Sequence, residues 1–350
     1  MNKPTAKQIR EALKAGIIDQ ARADSLLADL STAPTSPKPD EDNVALIGNE
    51  DDMRFVRSFS DVFIATGIGL LILGLIGFTL IGGPIISLIG MALMWLLAEY
   101  FGRKKRAHLP TLISALGFLF FVHAATSNFI PDSGMKPGVA AAFVTLLTML
   151  VFYWRFRLPF AIALIAISVL ILIFSFFAGH IPLGLLLLLS GILFFIVALL
   201  YDIRDPARKT RYADNAFWLH LTAAPLILHG IMAYTLVIRK HKIMGGLAKV
   251  PAIDNTDAAI MLLIVAALAF VGLAINRRAL LVSSLGYAVI AITMLIKRSG
   301  LDVGSATALA FLLLGLFIVF LGAGWHGARR LVLTVLPRRG VFAKLFPPAQ

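Results

Sequence analysis

Long apolar segments, separated by prolines, glycines and basic clusters, follow one another from residue 61 onwards. Each is about 20 residues long, which is the length that a helix needs to cross a hydrocarbon core of about 30 Å. The sequence therefore predicts an all-α, polytopic transmembrane helix bundle with ten spans, and nine or eleven spans are the alternatives. The predicted spans are residues 61–82, 84–101, 109–130, 138–156, 159–178, 182–201, 213–238, 257–275, 279–296 and 303–326.

Composition supports a membrane location. Hydrophobic residues make up 59% of the chain and charged residues 15%, whereas soluble proteins contain about 25% charged residues. The formal net charge is +13, but the Lys and Arg residues lie in short clusters between apolar segments, so no nucleic-acid partner is expected. The chain has no cysteine, which excludes disulfides, thiol nucleophiles and iron–sulfur clusters.

The distribution of Lys and Arg indicates the orientation. Most of these residues near the predicted spans fall on the side that carries residues 103–106, residues 204–211 and the C-terminal tail. Because cytoplasmic loops are enriched in Lys and Arg, we expect both termini in the cytoplasm and the spans in the lipid bilayer of a bacterial inner membrane. Residues 239–250 are an exception, since they place four positive charges on the outer side.

The N-terminal residues are polar and are expected to stay outside the membrane. Residues 1–31 predict a cytoplasmic helical hairpin, with Gly16 as the C-terminal cap of its first helix and Asp19 as the N-cap of its second. The apolar stripe of this hairpin is too small to form a core by itself. We therefore expect residues 5–30 to bind a cytoplasmic protein partner, a second copy of the chain in a homo-oligomer, or the membrane domain.

Two further segments flank the predicted spans. Residues 32–60 are rich in proline and acid and predict a flexible tether and juxtamembrane segment. Residues 327–350 predict a basic cytoplasmic tail. Since the short apolar core of a secretory signal is absent ahead of the first span, that span is expected to act as an uncleaved insertion signal.

The seventh predicted span carries the polar side chains that best fit a ligand site. These are Asp214, Asn215, Trp218, His220 and His229. Helical spacing places Asn215, Trp218 and His229 within about 60° of one another, whereas His220 lies on nearly the opposite face from His229, so one shared metal site is not expected. We expect a polar seam that binds a ligand, a proton or an ion; the alternative is simple hydrogen bonding to neighbouring spans, with Trp218 as an interfacial anchor.

Two other residues add to the candidate polar groups inside the membrane. Pro225, in the seventh span, removes the helical hydrogen bond to the carbonyl of Leu221 and is expected to kink the helix there. His123, in the third span near Thr126, is a second candidate for ligand binding, and a hydrogen bond within the bundle is its alternative.

The loop before the seventh span mixes acids with basic residues. The basic residues are Arg204, Arg208, Lys209 and Arg211. Because such side chains suit phosphate, we expect them to contact an anionic lipid head group or a phosphate. The alternative is a topogenic basic loop whose acids pair locally. Elsewhere, Glu99 lies four residues before Arg103, which predicts an interfacial ion pair at the end of the second span.

Catalytic motifs are absent from the sequence. It contains no His-Glu-x-x-His zinc motif, no serine nucleophile elbow and no P-loop. No pair of carboxylates lies within the predicted spans, which argues against two-carboxylate hydrolysis and against proton-driven transport through an acidic relay. We therefore predict no catalytic residue, no metal site and no cofactor, and we do not expect an enzyme.

Two segments resemble bacterial predicted inner-membrane proteins of unknown function. The first has the family's leucine, its Ala-Gly-hydrophobic-hydrophobic turn and its Gln-Ala-like second helix. The second is an Asp-Pro loop followed by an apolar segment with Asn, Trp and His, and it is similar to uncharacterised proteobacterial membrane proteins. The matching positions are Leu13, residues 15–18, residues 20–21, Asp205-Pro206 and residues 213–221. The resemblance implies an architecture, a hairpin ahead of many transmembrane helices, and no chemistry.

Three functions fit these features. The first is a membrane scaffold or sensor whose cytoplasmic hairpin recruits a partner. The second is a secondary transporter with a five-plus-five arrangement of spans, although residues 61–178 and 182–326 show no internal sequence similarity. The third is an enzyme that acts on a lipid-linked substrate, and it rests only on the basic loop and the histidines.

Overall fold

The computed structural model describes residues 11–16, 18–25, 59–82, 84–130, 138–208, 210–241, 255–337 and 339–346. The chain divides into two units, residues 1–52 and residues 53–350, and each is described by itself.

In the first unit, residues 11–14 and residues 20–25 are helical. Between them, Gly16 has a φ of +68°, the left-handed conformation in which glycine ends a helix without strain. The carboxylate of Asp19 accepts a hydrogen bond from the backbone N–H of Arg22 at 2.8 Å, as an N-cap does. The rest of the predicted hairpin and the tether lie outside the described residues.

The second unit is helical throughout its regular structure, and its described residues contain no strand. A π-helical turn, Glu99–Lys105, continues the second helix. Two short helices after the last predicted span, α11 (Trp325–Val335) and α12 (Val341–Leu345), fall mainly within the predicted tail. The helices in the predicted spans are α1 (Phe59–Gly82), α2 (Pro84–Ala98), α3 (His108–Phe129), α4 (Val139–Phe156), α5 (Ala161–Phe177), α6 (Leu183–Arg204), α7 (Arg211–His241), α8 (Asn255–Ile275), α9 (Ala279–Lys297) and α10 (Val303–Ala323).

The length and composition of the helices confirm the predicted fold class. Among the described residues, nine helices are long and apolar enough to cross a membrane. The remaining predicted span, α5, is also apolar but has only 17 residues. The protein is therefore an all-α, multi-pass membrane protein. Several helix ends differ from the predicted spans by a few residues; in particular, α6 continues to Arg204 and so contains Asp202 in its last turn.

Aromatic rings fill the core between α2, α3 and α4. The ring centre of Trp95 lies 5.3 Å from that of Phe118, 5.8 Å from Phe152 and 5.2 Å from Phe156. Lipid tails are as apolar as these side chains, so helices in a bilayer associate through close packing rather than through the hydrophobic effect. Tilted and edge-to-face ring pairs add about 0.5–1.5 kcal/mol each to that packing.

The helices α6 and α7 come into backbone contact at glycines. A Cβ atom added to Gly184 would lie 2.5 Å from the backbone nitrogen of Tyr234, and one added to Gly230 would lie 2.4 Å from that of Leu188. Gly191 is confined in the same way, with a backbone nitrogen of α7 at 2.8 Å. Because no side chain fits at these positions, the glycines allow α6 and α7 to pack as one tight pair.

Replacing Gly230 by Ala is expected to push α7 away from α6 and to lower the free energy of unfolding by about 1–3 kcal/mol. Gly286 in α9 is the matched control, because an added Cβ meets nothing within 4 Å there. Alanine at that position should gain up to about 1 kcal/mol of helix propensity. Unfolding of the full-length protein by SDS in mixed micelles measures both variants, and equal stabilities would contradict the close packing.

Candidate functional site: a buried charge network around Asp202

One carboxylate in the last turn of α6 is bonded to side chains from two other parts of the bundle. His220 of α7 donates from Nε2 to Asp202 Oδ2 at 2.8 Å. Arg277, which lies between α8 and α9, donates from Nε to Asp202 Oδ1 at 3.2 Å and from Nη2 to the same oxygen. The three residues are buried, with exposed fractions of 6% for Asp202, 0% for His220 and 1% for Arg277. We call them the Asp202 network.

The Asp202 network neutralises its own charge. Arg277 carries a permanent positive charge, and a charge buried from water is tolerated only with a counterion and hydrogen bonds. Asp202 supplies both. An ionised carboxylate only accepts hydrogen bonds, so the proton that faces it is on Nε2 of His220. The His220 ring also meets Phe195 edge to face, with the ring centres 5.2 Å apart.

The turn between α8 and α9 gathers further contacts next to the network. In this turn, residues 276–278, Asn276 has a φ of +57°, and this left-handed conformation ends α8 and reverses the chain. Arg208, from the loop between α6 and α7, donates to the backbone carbonyls of Ile275 and Asn276. The last carbonyls of a helix carry partial negative charge, so a guanidinium group there is stabilising.

The same turn is bonded to α11. The indole N–H of Trp325 donates to Asn276 Oδ1 at 2.8 Å. The guanidinium of Arg278 lies 5.1 Å from the centre of the Trp325 ring, which is a cation–π contact. Trp325 is the first residue of α11 and is buried. The turn therefore connects the Asp202 network to the helix that follows the last span.

A second carboxylate shapes the loop between α6 and α7. Asp205 Oδ2 accepts hydrogen bonds from the backbone N–H of Thr210 at 2.8 Å and from its hydroxyl at 2.6 Å. Thr210 directly precedes α7, so this carboxylate also lies near the positive end of the helix dipole. The bonded loop brings Arg208 to the end of α8.

The two histidines of α7 have different partners. His220 is bonded to Asp202 of the neighbouring helix, as described above. His229 is exposed, and its Nδ1 lies 2.6 Å from the carbonyl oxygen of Pro225 in the same helix. Its ring meets that of Tyr287 edge to face, with the centres 4.9 Å apart. The structure thus brings His220, but not His229, into the charge network.

The other polar residues predicted on α7 face different neighbours. The side-chain amide of Asn215 lies 3.5 Å from the hydroxyl of Tyr153 in α4, and Trp218 meets Phe160 edge to face at 6.2 Å. Asp214 is half-buried. The proline at position 225 has no N–H, so the carbonyl of Leu221 loses its helical donor. The hydroxyl of Ser283 in α9 donates a hydrogen bond to this carbonyl at 3.5 Å. Polar groups of α7 therefore contact α4 on one side and α9 on another.

The other described residues of the predicted site are not members of the Asp202 network. His123 Nδ1 is 3.2 Å from Thr145 Oγ1, a contact between α3 and α4. Arg204 and Arg211 are exposed, Arg208 is bonded to the end of α8, and the lysine at position 209 lies outside the described residues. Of the three described basic side chains predicted to contact a head group or a phosphate, two are thus exposed and one is bonded to the end of α8.

Sequence reasoning did not identify Asp202 or Arg277 as residues of the candidate site. The only local indication is that Arg277 occupies a turn of three residues between two long apolar segments, where a side chain has little room to reach water. Its counterion could not be identified, because Asp202 is 75 residues away in sequence.

The ion pair between Asp202 and Arg277 predicts strongly coupled mutations. Asp202→Asn or Arg277→Met breaks the buried ion pair and is expected to lower the free energy of unfolding by about 3 kcal/mol. The double variant should be more stable than the sum of the two losses by about 0.5–3 kcal/mol. SDS unfolding of the full-length protein measures this cycle, and additive losses would argue against the pair.

The matched control for this cycle is the partly exposed pair of Glu99 and Arg103, whose atoms lie 2.8 Å apart. Replacing Arg103 by Gln is expected to cost at most about 1 kcal/mol, because its side chain is exposed and solvent screens such pairs.

Comparisons with known proteins do not indicate a function, so the function is inferred from the geometry of the site. No protein-family model, no curated protein and no solved structure matches the chain. Within the described part of the chain, no group of three or more His, Asp or Glu side chains is arranged to hold a metal ion. The structural feature that bears most directly on function is therefore the buried Asp202 network.

Proposed function

We propose that this multi-pass membrane protein is a scaffold or sensor whose two states differ in the ion pair between Asp202 and Arg277. The position of this pair carries the proposal. It joins α6 to the turn between α8 and α9, and Asn276 of that turn is bonded to Trp325 of α11. A change that breaks the pair therefore acts on the α6–α7 hairpin, on the α8–α9 hairpin and on α11 beyond the last span. A membrane sensor requires such a connection between its spans and a helix outside them.

The parts on the two sides of the ion pair are suited to move as units. The α6–α7 pair is held by backbone contact at Gly184 and Gly230, which leaves little room for the two helices to slide past each other. Arg277 approaches from a short turn outside the regular hydrogen bonding of α8 and α9. Packed interfaces of this kind switch between discrete arrangements rather than deforming continuously.

The proposal includes the location and the partner expected from the sequence. The basic residues around the network, among them Arg204, Arg211 and Arg278, support a cytoplasmic position for this end of the bundle. Both termini are then cytoplasmic, in the inner membrane of a bacterium. The predicted hairpin within residues 1–31 recruits a protein partner or a second copy of the chain.

The proposed switch is tested by measuring the distance between α6 and α11. The chain has no cysteine, so Leu200→Cys on α6 and Thr334→Cys on α11 introduce spin labels only at these two exposed positions. In nanodiscs, Asp202→Asn is expected to lengthen or broaden the distance distribution, because it removes the carboxylate charge to which Arg277 is bonded.

The control is Asp302→Asn. Hydrogen bonds from Ser305 lower the pKa of this exposed N-cap carboxyl, and Asn caps a helix as well as Asp does. This variant should reproduce the wild-type distribution. An unchanged distribution in Asp202→Asn, for protein that elutes as a single species, would refute the proposed coupling.

A secondary transporter is the second candidate. The observation in its favour is that Asp202, in the last turn of a span, is bonded to His220. Proton-coupled transporters use carboxylates and histidines within their spans to take up and release protons. Proton uptake into proteoliposomes, followed with an enclosed pH-sensitive dye under an imposed membrane potential, separates the two functions. Uptake that Asp202→Asn abolishes would favour transport, whereas a changed α6–α11 distance without uptake would favour the sensor or scaffold.

A further inference from the structure

A shared carboxylate joins the ends of α2 and α4. Glu99, the first residue of the π-helical turn, accepts hydrogen bonds on Oε1 from Arg103 at 2.8 Å and from Arg155 at 2.6 Å. The predicted pair between Glu99 and Arg103 is thus present, and Arg155 of α4 is part of it. Two guanidinium groups from different helices are held together at this end of the bundle.

Basic side chains outnumber acids around this contact. We call the group the α2–α4 basic surface. It consists of Arg103, Lys104, Lys105, Arg106, Arg155 and Arg157. Among the described residues, Glu99 forms ion pairs with the two arginines named above. Lys104, Arg106 and Arg157 are exposed, so their charges are available to an anion.

Aromatic and apolar side chains continue from the basic surface along both helices. Leu96 of α2 is 63% exposed, and Tyr100, four residues later in the π-helical turn that continues α2, is 43% exposed. On α4, Val151 is 53% exposed, and Trp154, three residues later, is 71% exposed. Residues three and four apart lie on the same face of a helix, so an apolar and an aromatic side chain share an exposed face at each of these helix ends. The exposed basic residues Lys104 and Arg157 follow next in the chain.

This sequence of side chains matches the layers of a lipid leaflet. Apolar side chains face acyl chains, Tyr and Trp are enriched at the interface with water, and Lys and Arg lie at the level of the head groups. The ammonium of Lys105 lies 6.0 Å from the centre of the Tyr100 ring, which brings the basic and aromatic layers into contact.

We propose that the α2–α4 basic surface binds the head group of an anionic phospholipid. Lys104, Arg106 and Arg157 hold the phosphate, Trp154 lies at the interface, and an acyl chain packs against Val151. The excess of positive charge selects an anionic lipid over a zwitterionic one. Each Lys or Arg near the surface raises the affinity for anionic lipid by about fivefold. The inference does not depend on the Asp202 network.

The test is native mass spectrometry of the full-length protein in detergent micelles, titrated with phosphatidylglycerol or with phosphatidylcholine. The double variant Lys104→Gln/Arg157→Gln is expected to weaken binding of phosphatidylglycerol by roughly 25-fold and to leave phosphatidylcholine almost unaffected. The control is Lys297→Gln/Arg298→Gln, which removes the same charge from exposed residues at the C-terminal end of α9.

Three outcomes would overturn the proposal. An equal loss of phosphatidylglycerol affinity in both double variants would indicate nonspecific charge attraction. Equal affinities of the wild-type protein for the two lipids would exclude selection of an anionic head group, and displacement of the lipid by millimolar inorganic phosphate would identify free phosphate as the ligand. If the double variant fails to fold, Arg106→Gln replaces it. That single variant should weaken phosphatidylglycerol binding about fivefold, and unchanged binding would likewise overturn the proposal.

Discussion

A charge buried at the end of a membrane span has to be neutralised where it lies, and the packing of α6 against the α8–α9 turn meets this requirement. Arg277 is 1% exposed, and the carboxylate that neutralises it comes from another helix. If α6 moved away from the turn, an unpaired charge would remain in a poorly polar environment. Breaking such a pair costs about 3–5 kcal/mol, which is a large part of the 5–15 kcal/mol by which folded proteins are typically stable.

Close packing and hydrogen bonds extend the influence of this ion pair to other helices. Backbone contact at the glycines of α6 and α7 makes these helices one unit. Arg208 and Trp325 bond the opposite sides of the turn, one to its backbone carbonyls and one to the side chain of Asn276. The helices α2 to α4 differ, because tilted and edge-to-face aromatic rings fill their core and their basic end is exposed. One region is therefore organised by a polar network, and the other by apolar packing with a charged rim.

The spans could be predicted because the thickness of a hydrocarbon core fixes the length of an apolar helix. Helical spacing also indicated that His220 and His229 face different surroundings, and they have different partners in the structure. The network could not be predicted, because Asp202 and Arg277 meet only through the packing of two hairpins. No local pattern specifies such a contact, and the basic residues beside Asp202 made it resemble an ordinary loop acid.

The most direct measurement of the central claim is amide hydrogen exchange at residues 272–281 of the full-length protein in nanodiscs. If the ion pair holds the α8–α9 turn, these amides should exchange at least about tenfold faster in Asp202→Asn than in the wild-type protein, with α2 to α4 unchanged. A tenfold change corresponds to about 1.4 kcal/mol of local opening free energy, well below the full strength of a buried pair. Equal protection of the turn in the two proteins would contradict the account.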